Sequence, residues 1–343
     1  MPHRTFFAFM FPSLLAMVLF ITLPIFSVVV QSFFVQHDAI LTTVENCGPF
    51  GCETETKVDT AAMAKLREEA PMGKFAGFSN YLNRNHLAVA EVGAIFSNNN
   101  GLGDIGARLM NLPFYRALAF TLAYCFFVTP LAMALGFAVA LAVNTIPKLL
   151  RGPTIFVSLL PMIITPLVGS LILSWMFNPA GILGAGLQHL TGDPTLSLRA
   201  SPALTWAVLL TYGVWTNGPF SFVVFYAGLQ TVPQDTLESA KMDGATRWQA
   251  VRFVIIPHLM PLATFVALVQ LMDNFRVFEP IVGFSAEANA TSLSWLVYND
   301  LVSQDSAQFG SAGATSVMTI IGVLILLAPV LLRTWRDFNR KVV

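Results

Sequence analysis

Polar side chains set inside long apolar runs are where this chain could do chemistry. Tyr212, Trp215, Thr216 and Asn217 precede Gly218-Pro219, and Gln270, Asp273 and Asn274 close the run that begins at Pro257. Amides donate and accept hydrogen bonds, and aromatic faces pack on the apolar faces of sugar rings, so the set suits a neutral polyol. At 1.5 Å per helical residue, Gln270 lies about 20 Å and Asn274 about 25 Å from Pro257. A second reading stays open. Asn217 and Gln270 serve equally as hydrogen bonds between neighbouring helices, and Asp273, Arg276 and Glu279, three residues apart, serve equally as partners for one another. An anionic solute would demand a cationic site, and Arg276 is the one cation in these stretches, which favours an uncharged solute.

No catalytic constellation accompanies these residues. The histidines His3, His37, His86, His189 and His258 are scattered along the chain, and no His-Glu-x-x-His, Gly-x-Ser-x-Gly or Walker loop occurs. The chain reads as a non-catalytic component with no metal or cofactor of its own.

The elements that must position these groups are marked by the absence of charge. No Lys, Arg, Asp or Glu occurs between Arg4 and Asp38, Arg116 and Lys148, Arg151 and Asp193, Arg199 and Asp235, Arg252 and Asp273, or Asp305 and Arg333. A bilayer core needs roughly 20 helical residues to cross it, so these intervals predict six transmembrane helices. Composition agrees: of 343 residues, 55% are hydrophobic and 11% charged, against about 25% charged in soluble domains. With 19 basic and 19 acidic residues there is no basic excess for nucleic acid, and the apolar content excludes disorder. The first run, from Phe6 to about Phe34, is much longer than a signal core and reads as a retained helix.

Basic residues give the sidedness. Arg4, Lys148, Arg151, Lys241, Arg247, Arg252, Arg333, Arg336, Arg340 and Lys341 fall on one side of a six-span path, which places both termini in the cytoplasm. The loop from Gln36 to Tyr115 is then external. It holds an Ala/Lys/Glu-rich helical candidate, Thr60 to Ala70, a Gly/Asn-rich stretch from Asn98 to Gly106, and Cys47 and Cys52 in Cys-Gly-Pro-Phe-Gly-Cys. On an oxidising face these two form a disulfide; otherwise they are free thiols of the loop. Cys125 reads as a small apolar filler of the second span.

The cytoplasmic connection between spans four and five is the most specific segment. Pro233 suits the first turn of a helix, Asp235 and Glu238 complement its positive end, and Gly244 permits a sharp turn. A second amphipathic stretch, Thr246 to Phe253, leads to Ile256-Pro257, where the fifth span is expected to begin. A helix, a bend and another helix projecting from a membrane suit the transmission of force from a soluble partner.

Glu238-Ser-Ala-Lys-Met-Asp-Gly-Ala245, followed by Ile256-Pro257, resembles the EAA loop of binding-protein-dependent ABC importer permeases. Ala227-Gly-Leu-Gln-Thr-Val-Pro233 is similar to the form found in the carbohydrate-uptake branch, which includes the maltose and glycerol-3-phosphate importers. Phe75-Ala-Gly-Phe-Ser-Asn-Tyr81, Trp215-Thr-Asn-Gly-Pro-Phe220 and Phe309-Gly-Ser-Ala-Gly-Ala314 add to the likeness. Ser239 replaces the first alanine of the commonest motif, and Gly283-Phe-Ser-Ala-Glu-Ala-Asn289 stands where a Gly-Gly-Pro is often found.

The resemblance implies an all-α integral membrane protein with the type I ABC importer permease fold, six transmembrane helices and a cytoplasmic coupling helix. Residues 1–35 would hold the N-terminus and first span, 36–115 a periplasmic loop or cap, and 116–343 the permease core with the coupling loop at 230–257. Glu238, Asp243, Gly244 and Ala245 would couple to an ATPase, while Asn217 and Asn274 fall in segments that contact sugar in the maltose permease. Implied partners are a second permease, two copies of a cytoplasmic ATPase that bind ATP and Mg, and a periplasmic binding protein that delivers a carbohydrate across the bacterial inner membrane. A permease for a phosphorylated polyol such as glycerol-3-phosphate is the alternative. An ion-coupled secondary transporter fits six spans with one long inner loop poorly.

Overall fold

The computed structural model describes residues 3–37, 40–48, 51–97, 101–195, 197, 201–302 and 308–340. The first apolar run is helical as α1 (His3–Met17) and α2 (Leu23–Gln31), joined without a break by a π-helical turn at Val18–Thr22. Pro24 accounts for that turn. Its ring and missing N–H spoil the usual ladder, and the Leu23 amide reaches back five residues to the Val18 carbonyl.

The loop that follows contains β1 (Phe34–Val35), β2 (Leu41–Gly48), β3 (Gly51–Val58), α3 (Thr60–Glu69), β4 (Lys74–Phe75), α4 (Ser79–Leu82), α5 (Val89–Ser97) and α6 (Leu102–Leu109). Helix α3 is the one expected over the Ala/Lys/Glu-rich stretch. Asp59 caps it, its carboxylate accepting from the Ala61 and Ala62 amides. The antiparallel β2–β3 hairpin is an addition to the helical expectation. Its register sets Cys47 opposite Cys52 beside Gly48 opposite Gly51; the expected disulfide concerns side chains outside the described residues.

The chain continues through α7 (Pro113–Thr145), α8 (Lys148–Ile163), α9 (Pro166–Met176), α10 (Ile182–Thr191) and α11 (Pro202–Leu229). The third apolar run is not one straight helix: α8 and α9 meet at 91°. Thr165 sits before Pro166, whose ring disfavours the helical conformation there, and it is extended with ψ 138°. Conversely, α11 stays helical through Pro219, although a proline inside a helix usually kinks or breaks it.

Then come α12 (Gln234–Met242), α13 (Arg247–Ala250), a second π turn at Val251–Ile255, α14 (Ile256–Phe275), α15 (Glu279–Gly283), α16 (Leu293–Val302) and α17 (Phe309–Arg340). The expected start of the fifth span at Ile256-Pro257 is corrected. Arg247–Phe275 is one helical path, and the π turn, with the Ile256 amide on the Val251 carbonyl, absorbs Pro257 as the first π turn absorbs Pro24. Among the described residues, five helices are long and apolar enough to cross a membrane, and the bent α8–α9 pair makes a sixth candidate.

The chain divides into two compact units, Met1–Tyr115 with Leu296–Ile320, and Arg116–Trp295 with Ile321–Val343. The first has an apolar cluster of Ala88, Ile95 and Leu112. The second has two, one around Phe120, Leu209 and Phe284, the other around Val143, Phe222 and Leu259, with α11 packed against α8 and α14.

Candidate solute cavity and coupling element

Within the second unit, a cavity of about 480 Å³ opens where α7, the α8–α9 break, α11, the end of α14 and the start of α15 meet. The break supplies one wall, Ile164 and Pro166; α11 supplies Thr216 and Asn217; α14 supplies Asp273 and Asn274. Tyr124, Arg276 and Glu279 complete the polar lining. The break is held in place from behind. Tyr212 donates its hydroxyl to the Pro166 carbonyl at 2.7 Å, and Ser170 on α9 donates to the Glu279 carbonyl at 3.3 Å.

The cavity side chains are fixed by bonds to the protein. Asn217 donates Nδ2 to the Gly213 carbonyl at 2.9 Å, and Thr216 donates its hydroxyl to the Tyr212 carbonyl at 3.1 Å. Both bonds lie in the turn ahead of Pro219, whose missing N–H leaves the Trp215 carbonyl without its helical donor. Asn274, buried, donates Nδ2 to Thr129 Oγ1 at 2.9 Å. Arg276 donates Nη2 to Asp273 Oδ1 at 2.8 Å, so the three-residue spacing pairs these two.

Of the six candidate binding residues, Asn217, Asp273 and Asn274 share this cavity. Gln270 stands behind it, 1% exposed, with Nε2 on the Asn217 carbonyl at 3.0 Å and on Ser221 Oγ at 2.7 Å. Tyr212 and Trp215 line a different, apolar cleft with Leu173, Phe177 and Leu204. Sequence reasoning does not find Tyr124 or Thr129. A lone hydroxyl in an apolar helix usually bonds its own backbone, so it carries no spacing signal.

The residues expected to couple to an ATPase, Glu238, Asp243, Gly244 and Ala245, lie at a hydrogen-bonded corner. Gly244 has φ +79°, its amide bonds the Lys241 carbonyl and the Ala245 amide bonds the Ala240 carbonyl, both at 3.0 Å; these are the two bonds of a Schellman ending for α12. Two residues later Thr246 caps α13. Its hydroxyl accepts from the Gln249 amide while Gln249 Oε1 accepts from the Thr246 amide. Glu238, Asp243 and Gly244 are exposed, and Ala245 is half-buried. Met242, 88% exposed, and Trp248 add apolar surface to this corner.

Known proteins resemble this chain in sequence and in fold. Residues 131–337 match the family described as binding-protein-dependent transport system inner membrane component. The chain is 29% identical over 244 residues to the trehalose transport system permease protein SugA of Mycobacterium tuberculosis, covering 71% of this chain and 76% of the relative. It is 27% identical over 241 residues to the sn-glycerol-3-phosphate transport system permease protein UgpA of Agrobacterium fabrum, covering 68% and 79%. A bacterial ABC transporter involved in the import of the acidic polysaccharide alginate shares the fold, with TM-score 0.67 at 17% identity over 97% of this chain and 96% of that one.

Proposed function

Because this chain belongs to the binding-protein-dependent transport system inner membrane components, we propose that it is the permease subunit of an ATP-driven importer, taking up a sugar or sugar derivative delivered by a periplasmic binding protein. The observation that carries this reading is the convergence of Asn217, Asp273 and Asn274 on one cavity beside a broken span. The trehalose and glycerol-3-phosphate systems of its relatives support the solute class.

The mechanism follows from one helix. In the assembly, α12 seats on a cytoplasmic ATPase subunit, one of two that bind ATP and Mg, with Glu238 and Asp243 at the contact. Closure of the ATPase pair displaces α12. The Schellman corner and capping box pass that motion to α13, which runs without a break into α14. The far end of α14 carries Asp273 and Asn274, so the displacement reaches the cavity and switches its access from one side of the membrane to the other. A second permease completes the pore. The basic residues Arg4, Arg151, Arg333 and Arg336 keep both termini in the cytoplasm.

The test is uptake of labelled trehalose and maltose into proteoliposomes holding this chain, its partner permease and the ATPase. Uptake should require ATP and the binding protein, and Asn217→Ala and Asn274→Ala should each lower it about tenfold, the loss of one well-placed hydrogen bond. Transport driven by an ion gradient without the ATPase would overturn the proposal.

A further inference from the structure

Helices α14 and α17 meet at one end and part at the other. At Gly322 of α17 an added Cβ would lie 2.8 Å from Phe275 Cζ, so α17 rests directly on the ring at the end of α14. Towards the start of α14 the two helices leave a groove of about 400 Å³, a volume typical of ligand sites. Met260, Ala263 and Ala267 of α14 and Pro329 and Val330 of α17 line it, and the two alanines, one turn apart, leave the gap unfilled. Two lining residues are polar. Thr264 returns its hydroxyl to the Met260 carbonyl at 2.9 Å. Arg333 is exposed, and among the described residues no carboxylate pairs with it.

The depth of the cation fits a membrane surface. Helix α17 is long and apolar enough to span over Phe309–Arg336, and Arg333 lies three residues, about 4.5 Å, from that end, level with lipid headgroups. Trp335, 71% exposed, is an aromatic anchor at the same level. From residue 331 onward the sequence sets Arg333, Arg336, Arg340 and Lys341 against Asp337 alone. An apolar groove ending in an unpaired guanidinium suits an amphiphile with an anionic head. Free phosphate has nothing to lay along the alanines, and a zwitterionic head brings its own cation. A protein helix in the same place would need a carboxylate at this depth to meet Arg333. We propose that the groove holds one anionic phospholipid, its phosphate on Arg333 and an acyl chain laid past Ala263 and Ala267 towards Phe275. The lipid fastens α17 to α14 where the helices part. The proposal requires only that both helices span a membrane, and it is independent of what the chain transports.

The test uses the full-length chain with the subunits that purify with it. The protein is released from nanodiscs holding equal phosphatidylglycerol and phosphatidylcholine, and bound lipid is counted by native mass spectrometry. The intact chain should retain one phosphatidylglycerol in about fivefold to tenfold preference over phosphatidylcholine. Arg333→Gln, at an exposed position that leaves the fold intact, should lower that preference about fivefold, the worth of one cation at a membrane surface. Ala267→Phe, which fills the groove, should abolish retention of that lipid. Arg151→Gln should change nothing, because Arg151 is held by the Asn144 and Ile146 carbonyls and does not line the groove. A phosphatidylglycerol with a photoreactive acyl chain should label residues 260–267 and 329–333. Equal retention of the two lipids, equal effects of Arg333→Gln and Arg151→Gln, displacement by inorganic phosphate, or labelling confined to other segments would each overturn the proposal. So would a crosslink from Ala267→Cys to a co-purifying polypeptide, which would give the groove to a protein helix.

Discussion

Gln270 and Asn217 are joined by a bond from side chain to main chain. Gln270 Nε2 donates to the Asn217 carbonyl at 3.0 Å, and the same nitrogen donates to Ser221 Oγ at 2.7 Å. The amide thus clasps α11 on either side of Pro219, the residue that removes a rung from that helix. Its own Oε1 is buried without a hydrogen-bond partner among the described residues.

A double-mutant cycle with Gln270→Met and Ser221→Ala should give a coupling of about 1 kcal/mol, the net value of one such bond. Each single variant should lower the thermal midpoint of the detergent-solubilised chain, and the double variant should fall less than their sum. Additive losses would show that Gln270 does not hold α11 through Ser221.

Gly244 and Gly136 contrast two reasons for glycine. Around Gly244 a Cβ meets nothing within 4 Å, but its φ of +79° disfavours any side chain, so Gly244→Ala should cost about 1–2 kcal/mol of local stability. The effect should appear as weaker ATPase co-purification and uptake in a chain that still inserts. At Gly136 a Cβ would lie 2.4 Å from Ser221 Cβ and 2.6 Å from the Phe222 amide nitrogen, so Gly136→Ala must push α7 off α11. Its cost should be about 1–3 kcal/mol of global stability, seen in the thermal midpoint. Wild-type ATPase association in Gly244→Ala would remove the coupling role from this corner.

Much of this was legible because the relevant signals are local. A charge-free run long enough to cross a bilayer is visible in one dimension, and so is the Gly244 corner, since glycine reaches a positive φ without a Cβ penalty. Proline placement misleads in comparison. Pro130, Pro161, Pro219, Pro261 and Pro329 all lie inside continuous helices, whereas the break comes at Thr165-Pro166. That break is held by the Tyr212 hydroxyl and by α15 packing on α9, contacts between segments far apart in sequence. The same holds for the cavity. The cost of polar groups in apolar runs singles out Asn217, Asp273 and Asn274, but it does not say that Tyr212 and Trp215, one turn earlier, face another cleft.

Asn80 is the link most exposed to a single change in the first unit. Its Nδ2 donates to the Ser32 carbonyl, just past α2, and to the Gly310 carbonyl at the start of α17, both at 2.9 Å, and the residue is buried. Asn80→Ala should leave two buried carbonyls without that donor, a loss of about 1–3 kcal/mol. Hydrogen exchange should rise locally at residues 30–35 and 309–313 while that of α11 and α14 is unchanged. Uniform exchange across the chain would contradict this placement.

His86 makes the stability of that unit depend on pH. The ring is fully buried; with the proton on Nδ1 it donates to Asn83 Oδ1 at 2.8 Å, and Nε2 accepts from Thr315 Oγ1 at 3.1 Å. Burial lowers its pKa, against the opposing pull of the Ser311 carbonyl and the Asp300 carboxylate. The unfolded chain takes up this proton near the ordinary value of about 6.5 and the folded chain only at lower pH. The contribution is therefore fully present above about 6.5 and is lost as pH falls below it. Asp300, which accepts from Ser311 Oγ at 2.6 Å, is shifted the other way, raised by burial. The folded state keeps that proton where the unfolded state releases it, so acidification favours folding, in a window nearer the carboxylate range. Between pH 7.5 and 5.5 the histidine should dominate and the thermal midpoint should fall. His86→Gln, which cannot take up the proton, should flatten that decline while starting from a lower midpoint. An equally steep decline in His86→Gln would assign the pH dependence to other groups.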